Sequence, residues 1–252
     1  MNELKIKTLS YALGWQWITT AYDVFKKSPM HWILMTGLWL IMILVINKLP
    51  LGSILFQLSG PLFLMGFMKS CHRVTQDQAI KIEDLFVGFS EKTKPILILG
   101  GISLLGGAII TALCGLLMIG SIGYAAVATL FFDSSSQLAP SLLTLMSMSA
   151  MGGLLFVALV FLTLITVLTM AVLFSPALIL FHDIEPVEAM KLSFRACMAN
   201  MSALTWYSVI LSVLGLIALI PLGLGFLILG PVIIISIYTA YRDIFVREEI
   251  IS

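Results

Sequence analysis

Charged residues are scarce in this sequence. Asp, Glu, Lys and Arg make up 11% of its 252 residues, against about 25% in an ordinary soluble domain. Hydrophobic residues make up 60% of the chain, and the mean hydropathy is +1.09. A soluble protein of this length could not cover its surface with so few polar groups. The composition excludes a soluble enzyme, a disordered chain and a secreted disulfide scaffold, and it predicts an all-α, polytopic membrane protein.

Metal-binding, redox and nucleotide-binding motifs are missing as well. The cysteines and histidines are scattered along the chain: Cys71, Cys114, Cys197, His31, His72 and His182. They form no CxxC pair and no HExxH spacing, and the chain has no Walker loop or dinucleotide fingerprint. We therefore expect no metal or cofactor, and we interpret the cysteines as small buried thiols. The net charge of +1 gives no reason to expect nucleic acid as a partner.

The middles of the apolar segments contain no Asp, Glu, Lys, Arg or His. A charge at mid-bilayer costs about 2.5–3.5 kcal/mol and usually marks function. Its absence argues against a proton-coupled transporter, a pump, a voltage sensor and an intramembrane protease. We therefore expect no catalytic residue and no enzyme activity. The hydroxyls in these segments are expected to bond to backbone carbonyls one turn back: Ser103, Thr111, Thr163, Thr166, Thr169, Ser208 and Ser212.

Six segments are apolar enough to span a bilayer, which takes about 20 residues. They are 30–46, 51–71, 95–132, 142–181, 203–220 and 224–241. As helices, the third and fourth would each be about 57–60 Å long, roughly twice the thickness of the hydrocarbon core. Either they are long helices that extend or bend on the far side, or they break at Gly115, Gly120, Gly123 and Gly152-Gly153 to give eight spans. We favour six.

The basic residues predict the orientation. If the N-terminus is inside, every Lys and Arg except Lys48 lies on the inner side, as the positive-inside rule requires. The sequence thus predicts a multi-pass protein of the bacterial inner membrane with both termini cytoplasmic and residues 133–137 outside. The first 28 residues show no apolar stretch with a small-residue cleavage site, so we expect the N-terminus to be retained.

Three inner segments show the apolar spacing of one helix face. The residues concerned are Tyr11, Trp15, Ile18, Tyr22 and Phe25 in the first; Ile82, Leu85, Phe86 and Phe89 in the second; and Val187, Met190, Phe194, Cys197 and Met201 in the third. Each segment predicts an amphipathic interfacial helix before a span, and in the first we expect Trp15 and Tyr22 at headgroup level.

The second span of each hairpin contains a small residue followed by proline: Gly60-Pro61, Ser175-Pro176 and Gly230-Pro231. We interpret the chain as one integral membrane domain, 1–252, made of three related units, 11–73, 80–183 and 185–245. Each unit is an amphipathic helix, a span, an outer turn and a proline-containing span, so that six spans form three hairpins.

The inner ends of the even spans carry polar residues: Lys69, His72 and Arg73; His182 and Asp183; Arg242 and Asp243. If the hairpins are related, these ends should converge, and Arg195 on the preceding helix can join them. The candidate site comprises Arg73, His182, Asp183, Arg195, Arg242 and Asp243. Its predicted partners are anionic lipid headgroups or another membrane protein, because guanidinium offers bidentate donors to phosphate. In the alternative interpretation these residues are topology anchors paired with Asp183, Glu188 and Asp243. Both interpretations expect a carboxylate near Arg195 or Arg242.

The stretches Ser193-Phe-Arg-Ala-Cys197 and Tyr241-Arg-Asp-Ile-Phe245, with Pro221-Leu-Gly and Gly230-Pro231, resemble an uncharacterised family of bacterial six-span inner-membrane proteins. Gly14-Trp-Gln-Trp-Ile18 and Phe25-Lys-Lys-Ser-Pro29 are similar to that family's start. The resemblance implies an integral inner-membrane protein with no established activity. More loosely, the hairpin pattern is similar to the membrane domain that accompanies some glycerophosphodiester phosphodiesterases, but the hydrolase half is not in this sequence and no activity carries over.

Two functions remain open at this point. The first is a non-enzymatic scaffold or accessory subunit that binds a lipid or a protein partner. The second is a permease or channel for a neutral or amphipathic solute, which would need a polar cavity between the hairpins.

Overall fold

A computed structural model describes the backbone of residues 4–131 and 139–246 and the side chains of residues 4–120 and 151–245. Within these residues the chain is helical and has no strand, which confirms the predicted all-α class. The helices are α1 Leu13–Lys27, α2 Pro29–Ile46, α3 Gly52–Thr75, a 3₁₀ helix Ile82–Phe89, α4 Thr93–Phe131, α5 Ala139–Leu173, α6 Ser175–His182, α7 Pro186–Ala199, α8 Met201–Leu219, α9 Phe226–Tyr241 and a π-helical turn Arg242–Val246.

In the described part of the chain, six helical segments are long and apolar enough to cross a membrane, as predicted. The 39 residues of α4 continue through Gly115 and Gly120, and the 35 residues of α5 continue through Gly152. The eight-span alternative is therefore wrong where it places breaks at these glycines. A single glycine costs a helix only about 1 kcal/mol, and in lipid the helix keeps every backbone group bonded.

The fourth span breaks at Phe174 instead. α5 ends at Leu173, and α6 begins at Ser175 with Pro176 in its first turn. Proline has no N–H and cannot continue the bonding of the preceding helix. The polar groups at the break are satisfied by Ser193 of α7, whose hydroxyl accepts from the Phe174 N–H at 3.1 Å and donates to the Met170 carbonyl at 2.6 Å.

The three predicted amphipathic segments are helices, although residues 82–89 form a 3₁₀ helix rather than an α-helix. Each packs on a proline-containing span: the 3₁₀ helix on α3, α7 on α6, and α1 on α9. The 3₁₀ helix and α7 thus contact the even span of the preceding unit. α1, which has no preceding unit, contacts the even span of the third unit. The three segments therefore occupy corresponding places in the fold.

The buried sides of these segments are not the predicted apolar faces. α1 buries Gly14 and Ala21, and α7 buries Ala189, Ser193 and Ala196. The larger apolar side chains are mostly exposed: Tyr11, Trp15, Tyr22, Ile82, Phe86, Phe89 and Val187. Ile18, Phe25, Leu85 and Cys197 are the predicted face residues that are buried. The small residues on the buried sides let two backbones approach closely, although α1 also buries Trp17 and Val24. Most of the large residues of the predicted faces stay exposed, where they can contact lipid.

Two compact units make up the chain, Met1–Ser103 with Met170–Ser252, and Leu104–Thr169. The first contains a core of fully buried side chains: Trp32, Met35, Phe67, Met68, Phe174 and Tyr241. In the second, an added Cβ at Gly106 would lie 3.2 Å from Leu168 Cδ1, so α4 and α5 pack closely at that point.

The intramembrane hydroxyls bond as predicted. Each of the seven donates to the carbonyl four residues earlier, at 2.7–2.9 Å. The cysteines are free and buried, as expected. Burial raises the pKa of Cys197, which lies outside the spans, to about 12.

Candidate binding site at the basic end of the spans

The C-terminal ends of α3, α6 and α9, called here the basic end, lie together. His72 Nδ1 of α3 is 2.9 Å from the Tyr238 hydroxyl of α9, and His182 Nε2 of α6 is 2.7 Å from the Tyr241 hydroxyl. The ring centroids of His72 and Phe181 are 4.9 Å apart, which joins α3 to α6. The structure thus brings the three even-span ends into direct contact, as the related-hairpin hypothesis expected.

Sequence reasoning missed the two tyrosines that hold this contact. Tyr238 and Tyr241 are each 2% exposed and stand one turn apart on α9. A buried tyrosine needs a partner for its hydroxyl, and each of these two faces a histidine on a different span. Their spacing of three residues just before Arg242 was the available signal, because it places both rings on one face of a helix end.

Arg73 does not join this cluster. Its Nε lies 2.8 Å from Oδ2 of Asp84, whose side chain is 7% exposed in the 3₁₀ helix. The contact is ionic, because the N–H direction does not satisfy hydrogen-bond geometry. The role of Arg73 is to neutralise a buried carboxylate and to hold the 3₁₀ helix on α3.

Asp183 is held by Lys92, at 2.5 Å. A matching pair, Lys27 and Asp77, lies 2.8 Å apart at the basic end of the α2–α3 hairpin. Both aspartates follow an even span with a left-handed φ of 56°, and both lysines stand just before an odd span. The hydrogen bond and charge of Lys27 lower the pKa of Asp77. These pairs close the first two hairpins, although pairs this exposed contribute little stability.

Asp243 accepts a hydrogen bond from the indole N–H of Trp17, at 3.0 Å. The Thr239 hydroxyl donates to the Trp17 carbonyl at 3.2 Å. Trp17 is 1% exposed and anchors α1 to α9.

The two remaining candidate residues, Arg195 and Arg242, are exposed. Arg242 is near enough to His72 and Tyr238 to act on both electrostatically. The expectation of a carboxylate beside one of these arginines is not met within 4.0 Å among the described residues. The physical reason is that the expected partners Asp183, Glu188 and Asp243 contact Lys92, Lys191 and Trp17 instead.

The N-terminal segment before α1 is fixed at the same end. Asn200, fully buried between α7 and α8, donates to the Lys7 carbonyl at 2.9 Å and accepts from the Leu9 N–H at 2.8 Å. The Lys7 N–H donates to the Ile244 carbonyl at 3.1 Å. Residues 7–9 therefore join the start of α8 to the turn that contains Arg242 and Asp243.

No three His, Cys, Asp or Glu side chains in the described ranges lie close enough together to hold a metal ion.

The chain is similar to a bacterial inner-membrane protein. This relative, from Burkholderia thailandensis and described as a probable inner membrane protein, is 25% identical over 268 residues, which covers 98% of this chain and 96% of the relative. No family model matches the chain. No solved structure matches it.

The match extends along nearly the whole chain, so it concerns the membrane domain as a whole and not one motif. Together with the six apolar helices, it supports a multi-pass membrane protein similar to a bacterial inner-membrane protein. The link to phosphodiesterase membrane domains and the side on which the termini lie stay predictions.

Proposed function

We propose that the protein is a non-enzymatic integral protein of the bacterial inner membrane that binds anionic phospholipid headgroups at its basic end and serves there as a scaffold or accessory subunit. One observation carries the proposal. Where three spans converge, Arg242 is exposed and has no carboxylate within 4.0 Å in the described part of the chain. Arg195 is likewise exposed and has no carboxylate within 4.0 Å among the described residues.

The chemistry of these arginines suits phosphate. Guanidinium is always charged and presents planar donors that match two phosphate oxygens. In the proposed orientation the basic end faces the cytoplasm, where anionic lipids attract each nearby Lys or Arg by about 1 kcal/mol. We restrict the proposed site to Arg195 and Arg242, because Arg73, His182, Asp183 and Asp243 are bound to other side chains.

The permease or channel receives less support. A polar solute needs polar groups along its path, whereas the centre of the first unit is filled by Trp32, Met35 and Phe67. The cavity found between α1, α8 and α9 has apolar walls. A solute crossing at either place would meet mainly apolar side chains.

The test is native mass spectrometry of the full-length protein with added phosphatidylglycerol or phosphatidylcholine. We expect the wild type to retain more phosphatidylglycerol. Arg195→Gln and Arg242→Gln should each weaken its binding about fivefold, which corresponds to the loss of ~1 kcal/mol of attraction. Lys48→Gln, at the opposite end, is the matched control and should change nothing.

Membrane insertion and melting temperature are measured in parallel, and both should be unchanged by the two arginine substitutions. A double variant combines Arg195→Gln with Arg242→Gln. If it binds as much phosphatidylglycerol as the wild type, the proposal is contradicted and the arginines are topology anchors.

A further inference from the structure

An apolar cavity of about 750 Å³ lies between α1 and the α8–α9 hairpin. Trp15, Ile18 and Tyr22 line it on α1, Leu214 and Ile217 on α8, and Leu229 on α9. Its volume is within the range of roughly 300–1,000 Å³ typical of small-molecule sites. None of the arginine contacts described above involves these residues, so this is a separate site.

The cavity is short in the direction of the α8–α9 hairpin. Its walls extend from Leu214 to Pro221 on one side and from Gly225 to Val232 on the other. Each wall is about 10 Å long at 1.5 Å per residue, whereas a spanning helix of a partner would need about 30 Å. α1 closes one side, held by the bond from Thr239 to the Trp17 carbonyl. The space is therefore too short for a transmembrane helix and suits part of an acyl chain.

The polar edge of the cavity carries both signs of charge. Asp23 lines it, and Lys26 is 2.8 Å from Asp23 and 5.0 Å from the centroid of the Tyr22 ring. A headgroup with phosphate alone would place its negative charge beside Asp23. A headgroup with phosphate and ammonium would satisfy both side chains, because phosphate pairs with Lys26 and ammonium with Asp23.

The position of α1 agrees with a headgroup at this edge. Trp15 is 52% exposed and Tyr22 is 47% exposed, and amphipathic aromatic rings of this kind favour the headgroup level of a bilayer. A lipid with its headgroup at Asp23 and Lys26 has an adjacent apolar space into which one chain can pass.

We propose that this cavity binds one acyl chain of a zwitterionic, amine-bearing phospholipid, whose headgroup contacts Asp23 and Lys26. The proposal extends the proposed lipid-binding function to a second site of different charge preference. Its test leaves Arg195 and Arg242 unchanged, so that failure at one site can be distinguished from failure at the other.

The experiment compares phosphatidylethanolamine and phosphatidylglycerol bound to the full-length protein by native mass spectrometry. Ile217→Trp fills the cavity, and Leu216→Trp, its neighbour outside the cavity, is the matched control; the two side chains are 54% and 68% exposed. We expect Ile217→Trp to reduce phosphatidylethanolamine binding at least about tenfold, the loss expected when roughly two methylenes lose their burial. Leu216→Trp should bind as the wild type does.

A second pair guards against a folding defect. If Ile217→Trp melts below Leu216→Trp, Ile228→Trp on the opposite wall replaces it, with Leu227→Trp as its control. Asp23→Asn should remove the preference for phosphatidylethanolamine over phosphatidylglycerol while the protein stays folded.

Three results would overturn the proposal. The first is equal phosphatidylethanolamine binding by the cavity-filling and control variants. The second is an Asp23→Asn variant that binds phosphatidylethanolamine as the wild type does. The third is a dimer that Ile217→Trp abolishes, which would identify a second copy of the chain as the occupant.

Discussion

Ser193 shows how one residue can complete the structure of a helix to which it does not belong. In an unbroken α5 the Phe174 N–H would donate to the Met170 carbonyl, four residues earlier. Instead the Ser193 hydroxyl lies between these two groups and bonds to both. The serine is fully buried, so water cannot replace it. The bend before Pro176 and the docking of α7 therefore depend on the same hydroxyl.

Ser193→Ala should lower the free energy of unfolding by about 1–3 kcal/mol, because it leaves the buried Phe174 N–H without a partner and the Met170 carbonyl with only the weak thiol donor of Cys197. The measurement is unfolding in mixed detergent micelles, followed by circular dichroism. Ser202→Ala is the control, since Ser202 is exposed on the next helix and its loss should cost less than about 0.5 kcal/mol. Equal stability of the two variants would show that Ser193 is dispensable at the bend.

At the scale of elements, close backbone contact fixes the amphipathic segments to the spans. A Cβ on Gly66 of α3 would stand 2.5 Å from the carbonyl oxygens of Asp84 and Leu85, and one on Gly88 would stand 2.5 Å from the Leu62 carbonyl oxygen. A Cβ on Gly14 of α1 would stand 2.6 Å from the Ala203 carbonyl oxygen. Backbone atoms at these distances cannot move aside without moving their helices. These glycines are therefore required by packing and not by turns.

Gly66→Ala should detach the 3₁₀ helix and lower the free energy of unfolding by about 1–3 kcal/mol, the usual effect of overpacking. The direct measurement is hydrogen–deuterium exchange of residues 82–89, which should become faster than in the wild type. Gly37→Ala is the matched control, because nothing lies within 4 Å of its added Cβ. We expect it to leave exchange unchanged and to stabilise α2 by up to about 1 kcal/mol. Unchanged exchange in Gly66→Ala would disprove the close-contact argument.

At the scale of the whole molecule, the even spans converge at the same end of the first unit at which the basic residues are concentrated. The helix ends with His72, His182 and Arg242 meet, while Lys48 belongs to the turn between α2 and α3. The positive-inside rule then predicts that the basic end is cytoplasmic. Both proposed lipid sites depend on this orientation for the leaflet that they contact.

Alkaline phosphatase, which is active only in the periplasm, tests the orientation when it is fused at single positions. We expect activity for fusions at Leu49 and Ser135 and none for fusions at Asp77 and Ser252. Ser135 and Ser252 lie outside the described residues, and Leu49 and Asp77 bracket α3. Activity at Ser252, or none at Ser135, would refute the topology with both termini inside.

α1 shows which structural features the local sequence predicts and which it does not. Its spacing predicts the helix and its position before a span, and both are found. The spacing predicts which side faces the membrane, but it does not indicate which residues pack against the bundle. Gly14 and Ala21 pack against the bundle while Trp15 and Tyr22 stay exposed. Whether a small residue packs against another helix or stays uncovered depends on the shape of that helix. The local sequence of α1 carries no information about that shape.

The sequence by itself determined the apolar spans and the bonding of their hydroxyls. These are local properties, because a long apolar segment in lipid must satisfy its own backbone as a helix, and a Ser or Thr hydroxyl finds a carbonyl one turn back. Only the tertiary structure decided that Arg73 binds Asp84, that His72 and His182 bind Tyr238 and Tyr241, and that a cavity lies beside α1. The physical reason is that these contacts join residues from 11 to 166 positions apart. Their formation depends on which helices approach closely and not on the composition of either helix.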